Sequence, residues 1–213
     1  TVNFDLGAIN NLFSPIIPAG FYYKTFMWPN WHLWEGIVRK MAGLGKPPTE
    51  KDPQQYHKRN IHTEVLIVGG GPAGLAAALT ASESSETRVL FIDEQEEWGG
   101  SLLASNELIN GDKAINWVLQ AIESLANRDN VTLLNSTTVI GYYDHNVLAA
   151  VERKTCHLGP QANYEQPREI MWKIRAKQVI IATGAIERPL VFPDNDRPGI
   201  MLADAVSQYV HRY

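Results

Sequence analysis

Three glycines, Gly69, Gly71 and Gly74, stand in the order G-x-G-x-x-G, and Asp93 follows 19 residues after the last of them. Each position meets a mechanical need. The first glycine lets the chain turn tightly, the second lets backbone approach a bound group with no Cβ in the way, and the third lets a helix pack close to a strand. Pro72 and Ala73 between them open a helix, whose free N–H groups and dipole attract an anion such as a pyrophosphate. The Asp93 carboxylate suits the hydroxyls of an adenosine ribose and repels a 2′-phosphate, which favours NAD or FAD over NADP. The string alone is weak, since a glycine turn also occurs in α/β cores that hold no ligand, so its context has to carry it.

That context is a strand-like run at residues 64–68 entering the glycines, an alanine- and leucine-rich helix at 72–84 leaving them, and a second strand at 88–92 ending on Asp93. Together these make a βαβ unit. A second helix is expected from a cap at Asp112 to Asn127, with Ala114, Trp117, Val118, Ala121, Ile122 and Leu125 at helical spacing, then a third strand at 131–134. Residues 138–143, 147–154 and 168–175 read as a β-meander, and 178–182 as a separate apolar strand stopping at Thr183 and Gly184. Gly99, Gly100 and Ser101, after the second strand, serve either as an ordinary turn or as a loop offering N–H groups and a hydroxyl to a cofactor. The A-T-G ending at Gly184 is either a buried strand end or a place of close approach to a dinucleotide. No internal repeat is present. The fold class expected is α/β, a Rossmann-like dinucleotide-binding fold with a β-meander.

Residues 1–61 form a different zone, an aromatic-rich arm and linker, with eight aromatics between Phe13 and Trp34 and a short helical pattern at 34–42. Such a patch should lie on this domain or on a partner. Within the arm, Lys24 either stacks on Phe21, Tyr22, Tyr23 and Phe26 or reaches a flavin phosphate at a subunit interface. Residues 43–59, with Pro47, Pro48 and Pro53, read as the linker. Residues 62–192 are then the dinucleotide domain, and 193–213 a turn-rich crossing and the start of a helix at 202–212.

Composition narrows the partners. The chain has 213 residues, a net charge of −4, 45% apolar and 20% charged residues, so it is globular and lacks the positive charge that draws nucleic acid or an anionic membrane. The longest uncharged stretch, 65–82, holds four glycines and Pro72, which rule it out as a membrane span. One cysteine, Cys156, forms no internal disulfide, and the six histidines are scattered, which gives a cytoplasmic, metal-free reading. Glu187 and Arg188 either orient a cofactor or a neighbouring loop or, as adjacent opposite charges after a strand usually are, stand solvated. The chain begins at Thr1 with no signal pattern, so it is expected to be part of something longer.

Three strings, V-L-I-V-G-G-G-P-A-G-L-A-A-A-L at 65–79, I-D-E-Q with G-G-S-L-L within 92–103, and A-T-G-A-I-E-R-P at 182–189, resemble the pyridine nucleotide-disulfide oxidoreductase (glutathione reductase) type of fold. The arm string S-P-I-I-P-A-G-F-Y-Y-K-T-F-M-W-P at 14–29 resembles the α-subunit family of heterotetrameric sarcosine oxidases. That resemblance implies a cytoplasmic complex with β, γ and δ subunits that oxidises sarcosine to glycine, gives hydrogen peroxide, and passes the one-carbon unit to tetrahydrofolate. It implies NAD in the α subunit, and FAD and covalent FMN in the β subunit. By it, Gly69, Gly71, Pro72, Ala73, Gly74, Asp93, Glu94, Gln95, Gly100, Ser101, Thr183 and Gly184 match cofactor-contact segments, no catalytic residue carries over, and the fold is incomplete at the C-terminus. Two other classes fit the residues: an FAD-binding subunit of a related amine, imino acid or opine dehydrogenase, and a scaffold whose dinucleotide plays no redox part. With one cysteine, dithiol reductase chemistry is absent from these residues.

Overall fold

The computed structural model of the chain describes Pro15, residues 26–45 and residues 49–213. Most of the arm string, with Lys24, Phe21, Tyr22, Tyr23, Pro47 and Pro48, lies outside the described residues. The chain divides into two units, residues 1–52 and 53–213. In the first, helix α1 runs Trp31–Met41, three residues earlier than its periodicity implies, because the Asn30 side chain caps it by accepting the His32 N–H at 2.8 Å. Trp34 packs on Phe26 with ring centroids 5.5 Å apart and donates its indole N–H to Trp28 O at 3.0 Å. Arg39 pairs with Glu35 one turn away, and its guanidinium lowers the Glu35 carboxyl below the ordinary range.

The second unit is built on β1 (Gln55–Val68), which takes in residues 55–59 of the expected linker and joins them to the βαβ strand in one element of 14 residues. Helix α2 (Pro72–Ala81) and β2 (Val89–Ile92) complete that unit. A 3-10 turn (Gly100–Ala104) and a small hairpin, β3 (Leu108–Ile109) and β4 (Asp112–Lys113), lead to α3 (Ala114–Ala126) and β5 (Val131–Leu134). Strands β6 (Thr137–Tyr143), β7 (Val147–Arg153) and β8 (Pro167–Ile181) follow, then α4 (Ala203–His211).

One six-stranded sheet holds these in the order β5-β2-β1-β8-β7-β6. Val65 is in parallel register with Val89 of β2 on one side and Gln178 of β8 on the other, and β7 and β6 join antiparallel. The separate meander strand and apolar strand expected near residues 168–182 are thus one strand of 15 residues, and it links the meander to the parallel half. Alternation along β1 feeds two cores. Val65 and Ile67 pack with Phe91, with Leu75 and Ala78 of α2, and with Val118, Ala121 and Leu125 of α3. Leu66 and Val68 join Leu148, Ala150, Ile170, Trp172 and Ile174 of the meander. Both flanks of the parallel strands are therefore covered, as their unbroken apolar runs require.

Asp112 is not the cap of α3. It lies in β4, Lys113 holds the N-cap position, and the Asp112 carboxylate instead takes the Asn116 side-chain amide at 2.9 Å.

Candidate functional site

The parallel strands end together, and there they open a cleft of about 650 Å³. Such a cleft lies where this class of sheet binds ligands, beyond the carboxyl ends of its strands. Of the twelve residues singled out from the sequence, eleven line it: Gly69, Gly71, Pro72, Ala73, Asp93, Glu94, Gln95, Gly100, Ser101, Thr183 and Gly184. The twelfth, Gly74, is buried in α2 beneath it.

The glycines divide the work. Gly69 has φ +109°, which an L side chain rarely adopts, and a Cβ there would collide with Ala182 O. That carbonyl is near because β1 and β8 finish side by side, Ala182 N–H donating to Val68 O at 2.7 Å, while Gly69 N–H donates to Ile92 O of β2 at 2.8 Å on the other side. A Cβ on Gly74 would collide with Gly69 O and press on the Phe91 ring at 3.2 Å, so this glycine lets the helix lie on the strand. A Cβ on Gly71 would meet nothing nearer than Gly100 Cα at 4.0 Å. Gly71 is the N-cap of α2, Pro72 follows it, and no acidic residue occupies the first turn. A bare backbone facing open space at a helix N-terminus, with no lysine or arginine among the described residues that line the cleft, fits an anion held on peptide N–H groups and the helix dipole.

Gly100 (φ +55°) brings the second loop against the first: a Cβ there would sit 2.8 Å from Gly71 Cα. Gly99 N–H donates to Gly70 O at 2.8 Å, and the segment from Gly100 onward is a 3-10 turn. Trp98 stacks on Phe91 with centroids 4.6 Å apart and roofs Gly70, leaving that residue no room for a Cβ.

Asp93 closes the end of β2. Its Oδ2 accepts the Gly70 N–H and its Oδ1 the Gln95 N–H at 2.6 Å. The carboxylate ties the glycine loop to the loop after β2, and each oxygen keeps a further lone pair for a ribose hydroxyl. Glu94 and Gln95 enter chiefly through backbone: Gln95 O accepts the Ser136 N–H at 2.8 Å and Glu94 O accepts the Arg153 guanidinium at 2.6 Å. Sequence reading missed Gly70, whose N–H engages Asp93, and Thr137, Thr138 and Val139, which bring the start of β6 to the cleft wall. The triple glycine was the available signal for Gly70. Nothing local marks residues 137–139.

Glu187 reaches a neighbouring segment at an exposed position, its Oε2 accepting the Asp204 N–H at 3.0 Å in the first turn of α4. Cys156 lies away from the cleft, between β7 and β8, donating at 3.6 Å to Arg168 O and Glu169 Oε1. Burial and the Glu169 carboxylate push its thiol pKa up. Among the described residues, no group of three or more His, Cys, Asp or Glu side chains gathers as a metal site, and no helix is long and apolar enough to cross a membrane.

Known proteins agree with this architecture. Residues 63–210 match the pyridine nucleotide-disulphide oxidoreductase family. Sarcosine oxidase subunit alpha of Rhizobium meliloti (strain 1021) is 47% identical over 213 residues, 99% of this chain and 21% of that protein. The protein of the same name from Corynebacterium sp. (strain P-1) is 49% identical over 174 residues, 81% of this chain and 18% of the relative. The chain spans about a fifth of the length of these curated relatives. Among solved structures, L-proline dehydrogenase from P. horikoshii shares the fold at a TM-score of 0.58 and 24% identity, over 77% of this chain and 30% of that one. With the family match covering most of the chain and the glycine cleft in place, the chain belongs to the pyridine nucleotide-disulphide oxidoreductase family.

Proposed function

We propose that this chain is the dinucleotide-holding part of the α subunit of a sarcosine-oxidising complex, and that the dinucleotide is NAD. One observation carries the binding site: of the three motif glycines, Gly69 and Gly74 are closed off by protein, while Gly71 alone is bare toward the cleft. A backbone without a side chain at that place has a use when another molecule comes against it. The subunit assignment is supported by the two sarcosine oxidase α relatives at 47% and 49% identity.

In this reading the backbone of Gly69, Gly71, Pro72 and Ala73 receives the pyrophosphate at the end of α2, with Gly74 letting that helix approach. Asp93, set by Gly70 and Gln95, receives the adenosine ribose and rejects a 2′-phosphate, while Glu94, Gly100, Ser101, Thr183 and Gly184 close the sides. Bound NAD supplies a nicotinamide that accepts or returns a hydride. The chain's own work is to bind, orient and shield, since a pyrophosphate held by peptide dipoles needs no lysine or arginine to neutralise it. The same reading places β, γ and δ partners around residues 1–61, FAD and FMN in the β partner, a CH–NH donor as substrate, tetrahydrofolate as carbon acceptor, and the whole in the cytoplasm. Residues 62–192 are the dinucleotide domain and 193–213 the crossing beyond it.

The test is to denature the purified protein and identify what it releases by mass and spectrum. NAD, with an adenine band and no flavin colour, is expected. Release of FAD overturns the NAD assignment in favour of a dehydrogenase-type subunit, and a protein that neither carries nor takes up a dinucleotide overturns the reading entirely. Adding sarcosine and following nicotinamide absorption then separates redox use from a purely structural dinucleotide.

A further inference from the structure

The loop after β2 has no regular structure, yet it carries Asp93, and the meander holds it from the far side. Arg153, the last residue of β7, donates Nη2 to Glu94 O at 2.6 Å across 59 positions of sequence. Its own N–H donates to Ser136 O at 2.9 Å, and Ser136 N–H donates to Gln95 O at 2.8 Å. Asn135 Nδ2 adds a bond to Glu96 O at 2.7 Å, and Thr137 N–H one to Asp93 O at 2.8 Å. Four consecutive carbonyls of an irregular loop, those of residues 93–96, are therefore taken up from outside it, and Arg153 supplies the one charged donor among them.

We propose that Arg153 is a positioning residue for the adenosine end of the dinucleotide: by gripping Glu94 it fixes the angle at which Asp93 meets the ribose. The inference rests on the reading of the cleft as a dinucleotide site. Its physical basis is preorganisation, because a loop already ordered before the ligand arrives loses less entropy on binding. Arg153 is solvent-exposed and its bond to Glu94 replaces one to water, so its removal is expected to weaken binding by about three- to tenfold, in line with one hydrogen bond of ordinary net strength.

The experiment uses the protein as isolated, stripped of bound dinucleotide, and titrates it calorimetrically with ADP, the moiety common to NAD and FAD. Arg153→Ala is expected to raise the Kd for ADP by about three- to tenfold at an almost unchanged melting temperature. Arg153→Lys, whose ammonium still donates to Glu94 O, is expected to recover most of that loss. Amide exchange at Gln95 in the unliganded protein should quicken in Arg153→Ala. Unchanged ADP affinity in Arg153→Ala, or a loss that follows a lowered melting temperature and is not rescued by lysine, overturns the proposal alone. Failure of the unsubstituted protein to bind ADP removes the dinucleotide reading, and this proposal with it.

Discussion

Alanine at Gly71 separates the ligand's need for space from the fold's. The position is extended, with φ −76° and ψ −175°, a conformation alanine adopts freely. Among the described residues, the added methyl meets no atom closer than 4.0 Å. Loss of glycine's unfolded-state freedom stabilises by about 0.4–1 kcal/mol, and alanine's poorer standing at a helix N-cap offsets a similar amount. The net change in stability is near zero, a melting temperature within about 2–4 °C of the parent. In the proposed binding mode, however, the methyl enters the space where backbone meets pyrophosphate. Forcing a methylene into a filled contact costs about 1–3 kcal/mol, which converts to about a 5- to 150-fold rise in Kd. Gly69→Ala is the contrast: its φ of +109° and the collision with Ala182 O make it a folding defect of about 1–3 kcal/mol or more. Thermal unfolding by circular dichroism and calorimetric titration with NAD and ADP read the two effects independently. If Gly71→Ala binds as the parent does, the dinucleotide does not pass against this backbone; if it melts as low as Gly69→Ala, the space at Gly71 is not free.

The remaining predictions concern charge and buried polarity. Arg88 grips Glu64 with two side-chain bonds of 2.8 and 2.9 Å and depresses the Glu64 carboxyl to about 2. A lowered folded-state value means stability that is present above the ordinary carboxyl range and is lost as pH falls from about 4.5 toward 2, so Glu64→Gln should flatten the acid limb of a melting-temperature profile; parallel profiles for parent and variant between those pH values would count against the pairing. Glu152, 6% exposed, accepts the Trp172 indole N–H at 2.8 Å and pairs with Lys154 at 2.9 Å. Glu152→Ala leaves that N–H without its partner and should destabilise by about 1–3 kcal/mol in urea unfolding, with Glu152→Gln milder because its carbonyl still accepts. Asp93→Ala unties Gly70 from Gln95 and should both weaken NAD and narrow its advantage over NADP, measured as a ratio of dissociation constants; an unchanged ratio would free Asp93 from any part in recognising ribose.

The site was legible in sequence where local pattern and packing coincide. In 64–93, the apolar run, the glycines and the acidic strand end are each dictated by neighbours within one βαβ unit, and the structure realises them within a few residues. The first half of β1 was not legible. Residues 55–62 are almost all polar, with no alternation of buried and exposed positions, because this stretch pairs with β8 by backbone bonds and buries little side chain. Composition therefore reads it as a linker. In β8 the expected break falls at residues 176–177, yet Lys173, Arg175 and Lys177 alternate with the buried Ile174 and Ala176 and mark the solvent face of one unbroken strand. The bonds that shape the loop after β2, Gly70 to Asp93 and Arg153 to Glu94, join residues 23 and 59 positions apart, and one partner in each is a backbone group every residue possesses, so no residue type announces the pairing.

The family name couples pyridine nucleotides with disulphides, and these residues do not supply a dithiol. A dithiol mechanism needs two thiols within reach of each other and of the cofactor, and needs at least one of them as thiolate. These 213 residues hold one cysteine. Its thiol is pushed up in pKa by burial and by Glu169, and it lies on the connection between β7 and β8, while the cleft is lined by residues from the ends of β1, β2 and β8 and the start of β6. Among the described residues, that cleft offers peptide N–H groups, two carboxylates and small side chains, and no side-chain nucleophile beyond hydroxyls. Groups of this kind hold and orient, leaving bond-making to what they hold. The meander then has a mechanical role as well as a packing one: through β8 it sets Ala182 against Gly69, and through β6 and β7 it sets Ser136 and Arg153 against the loop that carries Asp93. Both walls of the cleft are fixed from one antiparallel element, so a disturbance of the meander far from the glycines should be felt in dinucleotide affinity before it is felt in the Rossmann core.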